Sequence, residues 1–245
     1  MRPTEQIYSH YTAEDFSVWK TLYDRQMPHL RAHACAAYLR ALDTVGFCAE
    51  RIPDFAVLEE VLRPLTGWGI KVVPNISEAR EFFGSLAQKR FTATCWLRTM
   101  AQLDYIEEPD MFHDVFGHVP MLTDIYICDY LHGLSEIAKK YSTNEEVIEA
   151  IARLYWYTIE FGLVQEGEQL KIYGAGILSS IGETVYALSD TPAKVPFDVR
   201  KIIETPYIKD SFQKQYFVLK SMQQLKDCLP GLEKHFEKKY GRMTE

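Results

Sequence analysis

Between Leu154 and Val164 the chain reads Leu-Tyr-Trp-Tyr-Thr-Ile-Glu-Phe-Gly-Leu-Val, in which Glu160 is the only charge. A helix of that composition is apolar on every side, so it predicts an element buried inside a large body. An ionised carboxylate in such surroundings costs on the order of several kcal/mol unless it is paired or binds a metal. Glu160 therefore needs a partner. Three are open: a salt bridge with Arg153, two turns earlier, a proton that keeps the carboxyl neutral, or a metal ion.

The segment Glu108-Pro109-Asp110-Met111-Phe112-His113-Asp114-Val115-Phe116-Gly117-His118-Val119-Pro120 bears on that choice, because it holds two of the seven histidines, five residues apart. Imidazole is the commonest protein metal ligand, and two of them leave room for a third donor from elsewhere in the chain. Two histidines and one carboxylate form the facial arrangement of non-haem Fe(II) oxygenases. A zinc hydrolase on the same ligands is the rival reading, although no His-Glu-x-x-His helix is present. In a third reading the chain is a helical binding module and these residues are structural. His29 and His33 lie four apart beside Arg31, which points to a solvated face. His132 reads as structural.

Length and composition exclude other classes. A chain of 245 residues with 47% hydrophobic and 25% charged residues has material for a sizeable core. A net charge of −7 argues against nucleic acid or anionic membrane as partners, since both need a basic surface. Neither an apolar leader nor a bilayer-length apolar run is present, so a cytoplasmic protein is expected. Cys35, Cys48, Cys95, Cys128 and Cys228 are an odd count without close-spaced pairs, which fits reduced thiols.

Taken in order, Thr12-Ala13-Glu14-Asp15 is a capping-box start for a helix with Phe16, Trp19, Leu22 and Tyr23 on one face. Pro28 is expected to interrupt it, and a second helix carrying Leu30, Ala34, Tyr38 and Ala41 runs to Gly46. Asp54 opens a third helix, Ile70 to Val73 is a proline-stopped strand, and Ser77 is expected to cap a helix with Phe82, Phe83 and Leu86 inside. Phe91 to Leu97 has strand composition, ended by Arg98. A helix over 124–141 follows, and Thr143-Asn144-Glu145-Glu146 launches the helix that leads into Glu160. Leu163 to Tyr173 suggests a hairpin around Gly167. The Gly174-Ala175-Gly176 turn suits close backbone approach to a small ligand. Residues 189–196 read as a loop, Phe212 to Leu219 as a strand, and the remainder as helix. The fold class is mainly α with a few short β-strands, in one domain spanning 1–245.

Three blocks, Glu108-Pro109-Asp110-x-x-His113-Asp114-x-x-Gly117-His118-Val119-Pro120, Leu154 to Leu163 and Tyr173 to Ser180, closely resemble the tetrahydropterin-dependent aromatic amino acid hydroxylases. The similarity is greatest to the short bacterial phenylalanine 4-hydroxylases and extends from about Tyr11 to about Met222. The resemblance implies a helical catalytic domain around an iron cleft, with His113, His118 and Glu160 as ligands. It implies that Fe(II) and a tetrahydropterin activate O2 to convert phenylalanine to tyrosine. By position, Arg98 corresponds to the grip on the substrate carboxylate, with Asp110 orienting it. Pro109 and Trp156 correspond to the walls of the aromatic pocket, and Gly176 and Ser179 to the loop that completes it. Phe82, Asp114 and Tyr155 correspond to the pterin side, Asp114 being one methylene shorter than the Glu of animal members. Tyr207 matches a tyrosine near the pocket. Ile106 and Lys209 depart from the animal pattern at positions linked to the choice among phenylalanine, tyrosine and tryptophan. With neither a regulatory domain nor a tetramerisation tail expected, the resemblance leads to a monomer.

Overall fold

The computed structural model describes residues 2–104 and 106–241. Its helical part begins with α1 (Ala13–His33), where Thr12 and Asp15 exchange both bonds of a capping box. The helix does not stop at Pro28. That residue is exposed, so the carbonyl deprived of its partner by the proline ring faces water. The break comes at Ala34, which bridges to Ile172, and the Cys35 N–H donates to the Ile172 carbonyl at 2.8 Å. Leu30 thus belongs to α1, and α2 (Ala36–Val45) closes at Gly46 in the left-handed conformation, φ +68°.

Asp54 caps α3 (Phe55–Thr66), whose Val57 faces solvent rather than the core. Strand β1 (Gly69–Val72) pairs in parallel with β2 (Arg90–Ala93), shorter than the expected run to Leu97. Between them, α4 (Ala79–Ala87) starts after Glu78 without a side-chain cap, so Ser77 does not serve as one. Helix α5 (Ile125–Lys140) is capped by Asp124 and buries Leu131, Leu134, Ile137 and Ala138. Asn144 rather than Thr143 caps α6 (Glu145–Tyr155), accepting from the Val147 N–H at 3.2 Å.

The hairpin is present as β3 (Leu163–Glu166) and β4 (Gln169–Ile172), turning through Gly167 at φ +60°. Leu163 and Val164 are therefore strand residues, and the apolar run around Glu160 is not helical to its end. Next come α7 (Ala175–Leu178) and α8 (Ile181–Leu188). The expected loop over 189–196 contains a strand, β5 (Ala193–Pro196), which pairs in parallel with β6 (Gln215–Leu219). It lies at the sheet edge with both ends exposed, so no in-out alternation announces it. The sheet order is β4-β3-β6-β5. Helices α9 (Val199–Glu204), α10 (Gln223–Asp227) and α11 (Leu229–Tyr240) complete the described chain.

One apolar cluster runs from Val18 and Trp19 in α1 to Phe236 in α11 and takes in every helix that flanks Glu160. At its centre Phe112 and Phe116 stack at 4.5 Å between ring centroids, with Trp19 edge-on to both. These rings anchor the segment that carries the two histidines.

Candidate metal centre

His113 and His118 lie in a π-helical stretch, Phe112–His118. In an α-helix, residues five apart point about 140° away from one another. A π-helix closes its bonds between i and i+5, which brings such residues back to the same side. The five-residue spacing is thus the spacing of one turn. A second π-helical stretch, Trp156–Glu160, ends α6 with the Phe161 N–H donating to the Trp156 carbonyl at 2.9 Å. Both candidate segments wind the same way.

The three side chains converge. One donor atom from each of His113, His118 and Glu160 falls within 4.8 Å of the others, the only such group among the described residues that could hold a metal. Glu160 Oε1 is 3.1 Å from His118 Nε2, and Oε2 is 3.6 Å from His113 Nε2. Arg153 instead pairs with Glu149 and donates to the Ile203 carbonyl, so it is not the partner of Glu160. Burial works against ionisation of Glu160, but in the metal-free site the His118 and His113 rings, when protonated, and the Tyr155 hydroxyl outweigh it and lower the carboxyl to about 2.

Ser179 decides which nitrogen of His113 faces inward. Its hydroxyl donates to the Ala175 carbonyl at 2.8 Å and lies 2.9 Å from His113 Nδ1. With its one proton committed to the carbonyl, the hydroxyl accepts from Nδ1–H, and in the neutral ring this leaves the lone pair on Nε2. Two imidazole nitrogens and a carboxylate, one ring held in the ligating tautomer, fit a divalent transition metal and leave room for further ligands. Phe91 lies over His118 at 4.8 Å between centroids.

Close backbone contact holds Glu160 in place. A Cβ at Gly174 would stand 2.5 Å from the Glu160 carbonyl oxygen and 2.4 Å from the Gly162 nitrogen, and one at Gly176 would stand 2.8 Å from the Phe161 ring. Gly176 is therefore used for packing against the second π-helix.

Arg98 and Asp110 form a nearly sealed pair. Arg98 donates from Nε to Oδ2 and from Nη2 to Oδ1, each at 2.8 Å, and its backbone N–H adds a third bond at 2.9 Å. The Arg98 side chain is 9% exposed and that of Asp110 not at all. Pro109, half-buried, adjoins the pair, and Ile106 lines a groove with Trp96 and Leu97 just outside it.

Trp156 and Tyr207 stack at 4.8 Å, with Lys209 Nζ 5.6 Å from the Tyr207 ring. Phe82 is half-buried, edge-on to Tyr155 at 5.0 Å and to Phe91 at 6.3 Å, so its ring is fixed while part of it stays accessible. An ordered, partly accessible aromatic of this kind suits stacking on a flat heterocycle. Tyr155 stands against Glu160, and burial together with that charge keeps its phenol protonated. Asp114 Oδ2 accepts from the backbone N–H and the hydroxyl of Thr94, both at 2.8 Å. Burial raises its pKa, against the lowering effect of His113 and Thr94.

Sequence reasoning did not find the Ser179–His113 bond, the Phe91 ring on His118, or a buried Gln213 that accepts from the Trp156 indole N–H at 3.1 Å. A lone Gln or Phe carries no motif. Only the low odds of burying an amide mark Gln213 out, and burial is not visible in the chain.

The family model for biopterin-dependent aromatic amino acid hydroxylases matches residues 3–245. The phenylalanine-4-hydroxylase of Ralstonia nicotianae is 46% identical over 225 residues, covering 91% of this chain and 72% of that protein. That of Pseudomonas aeruginosa is 40% identical over 224 residues, covering 91% and 85%. A crystal structure of Chromobacterium violaceum phenylalanine hydroxylase with bound iron(III) and 7,8-dihydrobiopterin superposes with a TM-score of 0.89 at 43% identity, covering 97% of this chain and 86% of that one.

Proposed function

Given that the chain belongs to the biopterin-dependent aromatic amino acid hydroxylases, we propose that it hydroxylates L-phenylalanine to L-tyrosine with O2, a non-haem Fe(II) and a tetrahydropterin. The observation that carries this reading is the convergence of His113, His118 and Glu160, with Ser179 fixing the His113 tautomer. When bound, iron and reduced pterin together supply the oxygen chemistry, in which one atom of O2 enters the ring and the other leaves on the pterin.

The chain's own residues bind, orient and exclude. His113, His118 and Glu160 would hold the iron, which would supply the oxygen chemistry. Arg98, oriented by Asp110, would receive the substrate carboxylate through Nη1, whose bond to the Leu103 carbonyl is long at 3.5 Å. Pro109 and Trp156 present apolar faces to the ring, and the loop through Gly176 and Ser179 closes the same side. Phe82 would stack on the pterin, with Tyr155 against its ring at 5.0 Å and Asp114 on the polar side of the site. Fixed geometry of this kind converts a meeting of three reactants into an ordered one and keeps water from the ring.

A zinc hydrolase on the same ligands needs a free general base beside the metal-bound water. Asp110 is committed to Arg98, and the match of the hydroxylase family model over residues 3–245 favours the iron reading over it. Tryptophan or tyrosine as preferred substrate is the alternative within the family, and it turns on Ile106 and Lys209.

The proposal includes one catalytic domain over 1–245, acting as a cytoplasmic monomer without nucleic-acid or membrane partners. Its support is the net charge of −7, the lack of any described helix long and apolar enough to cross a membrane, and α11, whose Leu232 and Phe236 are buried in their own chain. Light scattering tests the monomer.

The test of function is an assay of iron-loaded protein with each aromatic amino acid and a synthetic tetrahydropterin, following tyrosine, hydroxypterin and O2. His113→Ala and Glu160→Ala should each lose iron and turnover together. Retention of both would overturn the ligand set.

A further inference from the structure

Gln213 is a polar side chain with 2% exposure, outside the metal centre. Its Oε1 accepts from Trp156 Nε1–H at 3.1 Å, and its Nε2 donates to the Ile208 carbonyl at 2.7 Å and to the Ser211 carbonyl at 3.4 Å. The orientation of the amide is unambiguous. An indole N–H only donates and a peptide carbonyl only accepts, so a flipped amide would face donor with donor and acceptor with acceptor. A single buried amide therefore joins the second π-helix to the segment that follows α9.

That segment has other fastenings to the same wall. The Tyr157 hydroxyl donates to the Pro206 carbonyl at 2.7 Å, and Tyr207 stacks on Trp156. The bends through 208–211 have no sheet or helix bonds of their own, so the Gln213 amide is what holds the middle of the loop, Ile208, against the indole. Its base is held as well, because the buried Glu183 is bonded by Tyr216, three residues beyond Gln213 in β6.

From this geometry we infer that Gln213 is a positioning residue for substrate selection: it locks the Trp156 indole and the Tyr207–Ser211 loop into one rigid wall, and the width of the aromatic pocket depends on that lock. The inference rests on the reading of Trp156 as a wall of the substrate site. An indole left free to turn, with its N–H unpaired, would no longer fix the distance from wall to iron. The loss then falls on how well a given ring is held and less on the chemistry itself.

The experiment uses the iron-loaded full chain with Gln213→Met, which keeps length and removes every polar contact of the amide, and Gln213→Glu, which keeps an acceptor for Trp156 and loses both donors. With 15N-labelled tryptophan the protein gives four indole N–H signals, one per tryptophan, and Trp156→Phe identifies the one from Trp156. Gln213→Met should speed hydrogen exchange of that signal and raise KM for phenylalanine more than about threefold, with kcat within about twofold and iron content unchanged. Its ratio of phenylalanine to tryptophan turnover should fall. Gln213→Glu should leave the indole protected and still raise KM, and it serves alone if the Met variant does not fold. Unchanged exchange in Gln213→Met would overturn the bridge. Faster exchange with normal KM and normal selectivity would overturn the positioning role. If the parent chain, its indole N–H protected, did not turn over phenylalanine, the reading of the site would fail and the inference with it.

Discussion

Ser179 Oγ stands 2.9 Å from His113 Nδ1 while giving its proton to the Ala175 carbonyl, so the serine can only accept from the imidazole. One hydroxyl thereby sets both the tilt and the tautomer of a candidate ligand. Ser179→Ala should leave the fold intact and weaken iron binding about 10–100-fold, the usual range for losing the partner of a ligating histidine. Titration of the apo protein with Fe(II) checks this. Unchanged affinity would remove Ser179 from that role.

Arg98 and Asp110 invite a prediction with two parts. Asp110 is fully buried, and the Arg98 fork neutralises it. Arg98→Ala should raise KM for phenylalanine strongly. It should also destabilise the protein by about 3–5 kcal/mol, because a buried carboxylate loses its counter-charge. Arg98→Lys keeps the charge but not the fork, so its stability loss should be smaller while much of the KM effect remains. Urea denaturation beside steady-state kinetics separates the two.

Gly174→Ala should be among the most damaging small substitutions. Its methyl would meet backbone atoms of Glu160 and Gly162 at 2.5 and 2.4 Å, and backbone cannot give way as a flexible side chain does. A loss of about 1–3 kcal/mol or more is expected, with iron content falling because Glu160 is displaced. Melting temperature and metal analysis are the measurements, and an unaffected variant would show that the contact relaxes.

The buried Glu183 predicts a pH effect that does not involve the candidate metal ligands directly. Burial raises its pKa from 4.5, against the lowering influence of Tyr216 and the Gln213 backbone N–H. The folded state thus holds this proton more tightly than the unfolded chain does. Its stabilising contribution is complete below about 4.5, falls as pH rises toward the folded-state pKa, and is gone above it. Glu183→Gln keeps a hydrogen-bonding group and cannot ionise. Relative to the parent, its stability should improve as pH is raised from 4 to 8 in a denaturation series, by about 1.4 kcal/mol for every tenfold by which folding tightens the hold on the proton. A difference that stays constant across that range would refute the raised pKa.

Much of the helical framework was readable because it is local. The Thr12–Asp15 capping box, the Asp54 and Asp124 caps and the left-handed Gly46 depend on neighbours a few residues away. Cap positions slipped by one residue at Ser77 and Thr143, and the larger departures came where a distant partner overrode the local signal. Pro28 stays in α1 because the chain is redirected only when Cys35 meets Ile172, and β5 exists because β6 lies beside it.

For the candidate site, the residues themselves determined the chemistry on offer. One charge in an apolar run and two histidines five apart were enough to bring His113, His118 and Glu160 under suspicion, since burying a lone carboxylate is prohibitive. Only the tertiary structure decided how they meet. π-helical winding cannot be read from an apolar period, and the packing of Phe112 and Phe116 against Trp19 holds the segment that adopts it. The bonds from Ser179 to His113 and from Gln213 to Trp156 join residues 66 and 57 positions apart. No local pattern in the chain marks such a pair; it forms only when the core brings the two ends together and leaves each polar group no water to turn to.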